Sequence, residues 1–140
     1  MIEITNKSIS PKVVVNKTKG DSSGCVVTYV GLIRRYSQGQ LVLAVEYNDP
    51  DGNAENVLRE IASEAKSRWQ LNNIAISHRL GKLRVGEINL VVAVASTHRA
   101  EGFAACQYII DQFKQRLPTN KTETYYKVSV PGEKVHQERF

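Results

Sequence analysis

The chain has little of what metal or thiol chemistry needs. Its three histidines, His78, His98 and His136, are far apart. None shows the short spacing that metal ligands take on one element, so no metal and no cofactor is expected. The two cysteines, Cys25 and Cys106, form no Cys-x-x-Cys pair. Each lies in an apolar stretch, where a thiol reads as a small buried hydrophobe. No apolar run approaches the roughly 20 residues needed to span a membrane. Met1 to Val15 lacks a basic region followed by an apolar core, so no signal peptide is read and the cytoplasm is the expected location. There is no internal repeat and no low-complexity segment. The net charge is +5 and the pI about 9.3, which favours an acidic partner: a nucleic acid, a phosphorylated small molecule or an acidic protein. The basic residues are scattered, with no Lys/Arg-rich run, which weakens the nucleic-acid reading.

What is present fits one α+β domain over residues 1–140, with a mostly antiparallel sheet and two main helices. Ile2 to Thr5 alternates and reads as a short edge strand. Val13-Val14-Val15 fits either a strand or one turn of helix. Lys17 to Gly24 is polar and reads as a loop. Cys25 to Ile33 is rich in β-branched and aromatic residues and predicts a strand. Leu41 to Tyr47 predicts its returning partner in a hairpin, which would put Arg34 at a strand–loop junction, a common place for ligand-binding side chains. An exposed arginine near a turn is the plainer alternative. Asn48 to Gly52 is turn chemistry. A helix follows from about Ala54 to Trp69, with Val57, Leu58, Ile61, Ala65 and Trp69 on one face. Ile74 to Leu80 predicts a strand in which His78-Arg79 is a satisfied structural pair. Leu83 to Val85 fits a short strand and Gly86 a bend. Ile88 to Ala95 is nearly all apolar, as a central strand buried on both faces would be.

The segment after that strand is electrostatically odd. Ser96 and Thr97 are capping residue types, and a helix is predicted from about Arg99 to Leu117, with Phe103, Cys106, Ile110, Phe113 and Leu117 as its core stripe. His98 and Arg99 place two cationic side chains at the end that already carries partial positive charge and unpaired N–H groups. Either both point into water, or an anion such as a phosphate or carboxylate relieves the conflict. Lys114 lies near the other end, and Lys121 follows Pro118. A continuous helix rises about 1.5 Å per residue, so His98 and Lys114 stand roughly 24 Å apart. One small-molecule site cannot easily take both from one chain. A symmetric dimer would bring the two sets together and give two equal sites. Thr122 to Val128 predicts a strand, Pro131-Gly132 a turn, and Lys134 to Arg139 a segment pairing back as a hairpin.

Several ordered motifs now stand together: Thr28-Tyr29-Val30-Gly31-Leu32-Ile33-Arg34, Glu46-Tyr47, Arg68-Trp69, His78 to Leu83, Gly86-Glu87, Ser96-Thr97-His98-Arg99, and Lys114 through Pro118 to Lys121-Thr122-Glu123. In this set the chain resembles the large, catalytic subunit of molybdopterin synthase, from about Gly24 to Glu123. The resemblance implies an α/β-hammerhead-like fold and an enzyme that builds the molybdopterin dithiolene from cyclic pyranopterin monophosphate. It implies that sulfur arrives on the C-terminal thiocarboxylate of a small ubiquitin-like partner, and that two large subunits dimerise with one small subunit at each end. On matching positions, Arg34, His98 and Arg99 fall on anion- and pterin-binding residues, and Arg139 loosely on a basic residue near the C-terminus. Lys114 and Lys121 fall on the lysines lining the meeting place of tail and substrate. Lys121 is then the main acid/base group and Lys114 the tail-positioning group. The chemistry suits the types: arginine holds phosphate oxygens bidentately, lysine attracts an anionic thiocarboxylate, and lysine in a drier pocket moves protons.

The chain departs from the family pattern in places. An aromatic residue usually precedes the second lysine, whereas here the run is Pro118-Thr119-Asn120-Lys121. Thr124 to Val130 is longer than usual, and Val135 stands where tryptophan is common. Met1 to Ser23 carries no resemblance. The missing aromatic motivates an alternative from another class, a non-catalytic paralogue that only binds the ubiquitin-like subunit. Retention of Arg34, His98, Arg99, Lys114 and Lys121 together argues for the enzyme. A nucleic-acid module would need clustered cations and exposed aromatics on one face, which the sequence lacks.

Overall fold

The computed structural model describes residues 1–116 and 118–126, and the backbone of 137–139. The predicted turn at Pro131-Gly132, and Leu117, His136 and Val135, lie outside the described residues. The fold is built on β7 (Ile88–Ser96). It pairs antiparallel with β2 (Cys25–Leu32) on one side and β5 (Asn73–Arg79) on the other. β1 (Ile2–Thr5) completes this four-stranded sheet at its edge, parallel to β5.

Side chains alternate across a strand, so β7 sends Leu90, Val92 and Val94 to one face and Val91 and Ala93 to the other. The first set packs under α2 (Ala54–Arg68) and α3 (Arg99–Arg116). The second packs under α1 (Pro11–Asn16), through Val14. The valine triplet thus lies in a short six-residue helix, started by Pro11 at its first turn and by Ser10, whose hydroxyl accepts from the Val13 N–H. The central strand is buried on both faces, as its composition predicts.

α2 buries Ala54, Leu58, Ile61 and Ala65. Its N-terminus is held by the Asp49 carboxylate, which accepts from the N–H groups of Asn53 and Ala54 at 3.0 and 3.3 Å. A negative group there opposes the helix dipole. α3 buries Gly102, Ala105, Cys106, Ile109 and Phe113. The expected stripe is therefore rotated: Phe103 is 60% exposed. Gly102 explains the rotation, since a Cβ there would stand 2.7 Å from the Ser96 Oγ and 3.1 Å from Val27. The small residues face the sheet so that the helix can sit close to it.

The predicted hairpin between the Cys25 and Leu41 strands does not form. β4 (Gln40–Asn48) belongs to a second, antiparallel sheet, flanked by β8 (Asn120–Tyr126), by β6 (Gly81–Arg84) and by the short β3 (Tyr36–Ser37). The hairpin is β3–β4, turned by Gln38 and Gly39, both with positive φ (53° and 75°), as tight two-residue hairpin turns require. Between the sheets, a register shift at Gly31/Leu32 bends β2 away. Ile33 then enters the second core, its N–H donating to the Glu87 carbonyl at 3.0 Å. β9 (Gln137–Arg139) pairs back on β8, as expected for the C-terminal segment. Among the described residues, no helix is long and apolar enough to cross a membrane.

Ile109 is wholly buried where α3 meets both α2 and the sheet. Ile109→Ala is expected to cost about 2–5 kcal/mol, read as a lower urea midpoint. A midpoint within error of the parent would mean that α3 does not seat on the sheet as described.

Candidate functional site

The two sheets meet at the C-terminal end of α3 and leave a pocket of about 280 Å³. Arg34 reaches it from the junction after β2, Lys114 from the last turn of α3, and Lys121 and Glu123 from β8. The reason is periodic. Lys121, Glu123 and Tyr125 alternate along β8 and share a face. Lys121 lies opposite Tyr47 in the β4–β8 ladder, and Glu123 opposite Val45. The inner face of the second sheet therefore presents charge at one end and an apolar floor of Val42, Val45 and Tyr47 beside it. From the first sheet come Tyr29 and Asn89. The Asn89 amide donates to the Tyr47 hydroxyl at 3.0 Å.

Three cations face one carboxylate here. Lys121 Nζ is 3.0 Å from a Glu123 carboxylate oxygen. The Tyr125 hydroxyl donates to the other. Burial pushes the Glu123 carboxyl up, but the hydrogen bonds from Tyr125 and Lys121 and the Lys121 charge outweigh it and hold the carboxyl below its ordinary value. Tyr125 is shifted upward by burial and by the same carboxylate. Arg34 and Lys114 are exposed and make no ion pair among the described residues. The pocket is thus left with uncompensated positive charge, which suits an anionic ligand.

His98 and Arg99 stand elsewhere. With Gly24, Cys25, Thr97 and Ala100 they line a surface pocket of about 460 Å³ at the N-terminal end of α3. Gly24 makes this corner possible: a Cβ there would lie 2.2 Å from the Thr97 carbonyl oxygen. The Ser96 and Thr97 hydroxyls donate to the carbonyls of His98 and Ser22, which shapes the turn before the helix. Cys25 is only half-buried and lines this pocket, unlike the expected buried hydrophobe. Cys106 is buried, and burial pushes its thiol up to about 11. The structure therefore groups Arg34 with the two lysines and separates it from His98 and Arg99, at opposite ends of α3. Arg139 is placed only by its backbone, opposite Thr124. Glu123, Tyr125, Tyr47 and Asn89 were not picked out by sequence reasoning as site residues. The alternation Lys121-x-Glu123-x-Tyr125 was the available signal for the first two. Among the described residues, no group of three or more His, Cys, Asp or Glu side chains could hold a metal ion.

The comparisons with known proteins identify the family. The MoaE protein family profile matches residues 4–116. The chain belongs to the MoaE family of molybdopterin synthase catalytic subunits. A relative from Thermoplasma volcanium, named molybdopterin synthase catalytic subunit, is 35% identical over 122 residues, covering 87% of this chain and 89% of its own length. The crystal structure of molybdopterin synthase from Staphylococcus aureus superposes with a TM-score of 0.79 at 26% identity, over 96% of this chain and 95% of that one. A complex of subunits 1 and 2 of molybdopterin-converting factor from Helicobacter pylori shares the fold, with a TM-score of 0.68 at 12% identity over 89% of this chain and 83% of that one.

Behind the pocket of this MoaE-family chain, the His78-Arg79 pair is structural, as its position in a strand predicts. Arg79 Nη1 lies 2.5 Å from a Glu87 carboxylate oxygen. The His78 side chain is wholly buried. Its Nδ1 is 2.9 Å from the Asn89 carbonyl, and its Nε2 is 2.9 Å from the Thr119 hydroxyl. A carbonyl only accepts, so Nδ1 carries the proton, and Nε2 accepts from Thr119. Burial lowers the His78 pKa, against a smaller upward pull from the Asn89 carbonyl and Asp49.

Folded His78 thus refuses a proton that the unfolded chain accepts near pH 6.5. Its contribution to stability is whole above that value and is lost as pH falls through it, with a slope of up to about 1.4 kcal/mol per pH unit. Urea midpoints between pH 7.5 and 5 are expected to fall, and His78→Asn to flatten the upper part of that fall. An unchanged slope in the variant would exclude His78 as its origin.

Proposed function

We propose that this chain transfers sulfur from the C-terminal thiocarboxylate of a small ubiquitin-like subunit to cyclic pyranopterin monophosphate, forming the molybdopterin dithiolene in the cytoplasm. The observation that carries the reading is the convergence of Arg34, Lys114 and Lys121 on one pocket in which Glu123 is the one carboxylate among the described residues. A thiocarboxylate and a cyclic phosphate are both anions, and their approach to each other needs a site of excess positive charge. In this reading Lys114, on the outer turn of α3, positions the tail. Lys121 is the acid/base group, with Glu123 accepting its hydrogen bond and Tyr125 fixing Glu123. Proton movement is required because sulfur adds and oxygen leaves as water. Arg34 holds phosphate oxygens.

His98 and Arg99 enter as a second copy's contribution. They sit at the far end of α3 from Lys114 and form their own pocket. A two-fold dimer would lay them beside the partner's lysines and complete two equal sites. Arg139 is assigned to the same anion site by the family pattern alone. The complex of the two converting-factor subunits from Helicobacter pylori supports a small-subunit partner.

A second reading, a paralogue that binds the small subunit without catalysis, is favoured by one observation. Asn120, where the family pattern has an aromatic residue, is a small polar side chain exposed beside Lys121. Single-turnover conversion separates the two. With a thiocarboxylated small subunit and the cyclic substrate, the chain is expected to yield dithiolene product, and Lys121→Ala to lose about a hundredfold or more in rate, the usual size of an acid/base contribution. Lys114→Ala is expected to weaken binding of the thiocarboxylated subunit, measured by calorimetry. A stable complex that forms no product would replace the enzyme reading by the paralogue.

A further inference from the structure

Lys114, Lys121 and Tyr47 reach the pocket from three pieces of chain: the end of α3, the start of β8 with the connection that leads into it, and β4. All three are touched by one buried ring outside the pocket. The His78 imidazole meets the Phe113 ring edge-on at 5.0 Å and the Tyr47 ring edge-on at 5.0 Å. Phe113 precedes Lys114, and Tyr47 is the ladder partner of Lys121. The ring's Nδ1 proton is given to the Asn89 carbonyl, and its Nε2 lone pair takes the Thr119 hydroxyl. Thr119 is 4% exposed and stands two residues before Lys121.

We propose that His78 is a positioning residue for Lys121, acting through the Thr119 hydroxyl. The proposal rests on the role given above to the pocket lysines. The physical argument is one of direction. The connection from α3 into β8 is short, running from Arg116 to Asn120. Arg116, still on the helix, bonds outward to Glu64; between it and Asn120, the one side-chain hydrogen bond among the described residues is that from Thr119 to His78. Packing alone sets how deep such a turn sits, whereas a hydrogen bond also fixes its angle. His78 can serve as that fixed point because its own orientation is set from two sides. The Asn89 carbonyl dictates its tautomer, and two rings at interplanar angles of 80° and 81° hold its plane. The β4–β8 ladder holds the rest of β8. Loss of the Thr119 hydroxyl therefore tilts the start of the strand, where Lys121 stands, without unpairing it.

Thr119→Val keeps the shape and removes the hydroxyl, and Thr119→Ser keeps the hydroxyl. Two readouts are made on the full chain. The first is the single-turnover rate across a range of the cyclic substrate, with the thiocarboxylated small subunit. The second is the NMR signal of the Lys121 Cε carbon, beside the ring nitrogens of His78. Thr119→Val is expected to lower the saturating rate roughly tenfold or more, the size of effect that a misplaced catalytic group produces. The half-saturating substrate concentration should stay within about twofold, since the loss falls on the reacting step and not on binding. The Lys121 signal should shift, and Thr119→Ser should recover both. A core variant such as Ile109→Val reports what lost stability alone does. The proposal is overturned if Thr119→Val reacts like the parent, if Thr119→Ser fails to rescue it, or if Ile109→Val reproduces the loss. Should the parent chain itself form no product, the sulfur-transfer reading fails, and the Lys121 signal alone decides the positioning role: shifted in Thr119→Val and restored in Thr119→Ser supports it, unmoved overturns it.

Discussion

The structure depends on a single strand being buried on both faces. β7 contributes Leu90, Val92 and Val94 to the helix side and Val91 and Ala93 to the α1 side. Only apolar side chains tolerate that position, and every backbone polar group in it must find a ladder partner. β2 and β5 supply those partners along nearly its whole length. Once β7 is fixed, its two ends are fixed as well. Asn89 at its start lines the charged pocket. Its end, Ser96, runs through Thr97 into His98, Arg99 and α3. α3 then returns along the sheet and delivers Lys114 to the end where Asn89 stands. The separation of the two cationic groups is thus a property of the core and not of surface loops.

That separation has an electrostatic consequence. A cluster of like charges destabilises a fold unless it is solvated or neutralised. Here the charges are divided between two ends of α3, and at the denser end Glu123 compensates one of them. Glu123 is itself the product of competing effects. Burial raises its carboxyl, while Tyr125, Lys121 and Ser37 lower it further than burial lifts it. The carboxylate therefore stays ionised beside Lys121 and orients its side chain. Arg34 and Lys114, exposed and without carboxylate partners among the described residues, remain available to an incoming anion.

Much of this was legible in the sequence where one pattern had one explanation. The run from Ile88 to Ala95 read as a central strand buried on both faces, and the spacing of Leu58, Ile61 and Ala65 as a helix face, and both are found. The distance from His98 to Lys114 followed from helical rise alone, and the two pockets bear it out. The failures have equally local causes. Two apolar strands separated by a polar turn read as a hairpin, but Ile33 crosses into the second core and the turn at Gln38-Gly39 closes on Tyr36-Ser37 instead. Phe103 fitted a three-four repeat, yet the sheet prefers the bare surface of Gly102, and tertiary packing overrides apolarity there. Pairing across sheets, which brings Arg34 to the lysines, has no local signal at all.

The segment before Lys121 shows how one chain can solve a shared problem by other means. An aromatic residue beside the lysine would hold the turn by contact area. Here Asn120 is exposed, and its side chain makes no hydrogen bond among the described residues. In this chain the side-chain bond lies one residue earlier and further inward, from buried Thr119 to His78. Contact area tolerates small rotations, whereas a hydrogen bond to a ring held edge-on by Tyr47 and Phe113 does not. The backbone before Lys121 is thereby tied to the core of the first sheet, while the residue beside the lysine, Asn120, stays at the surface.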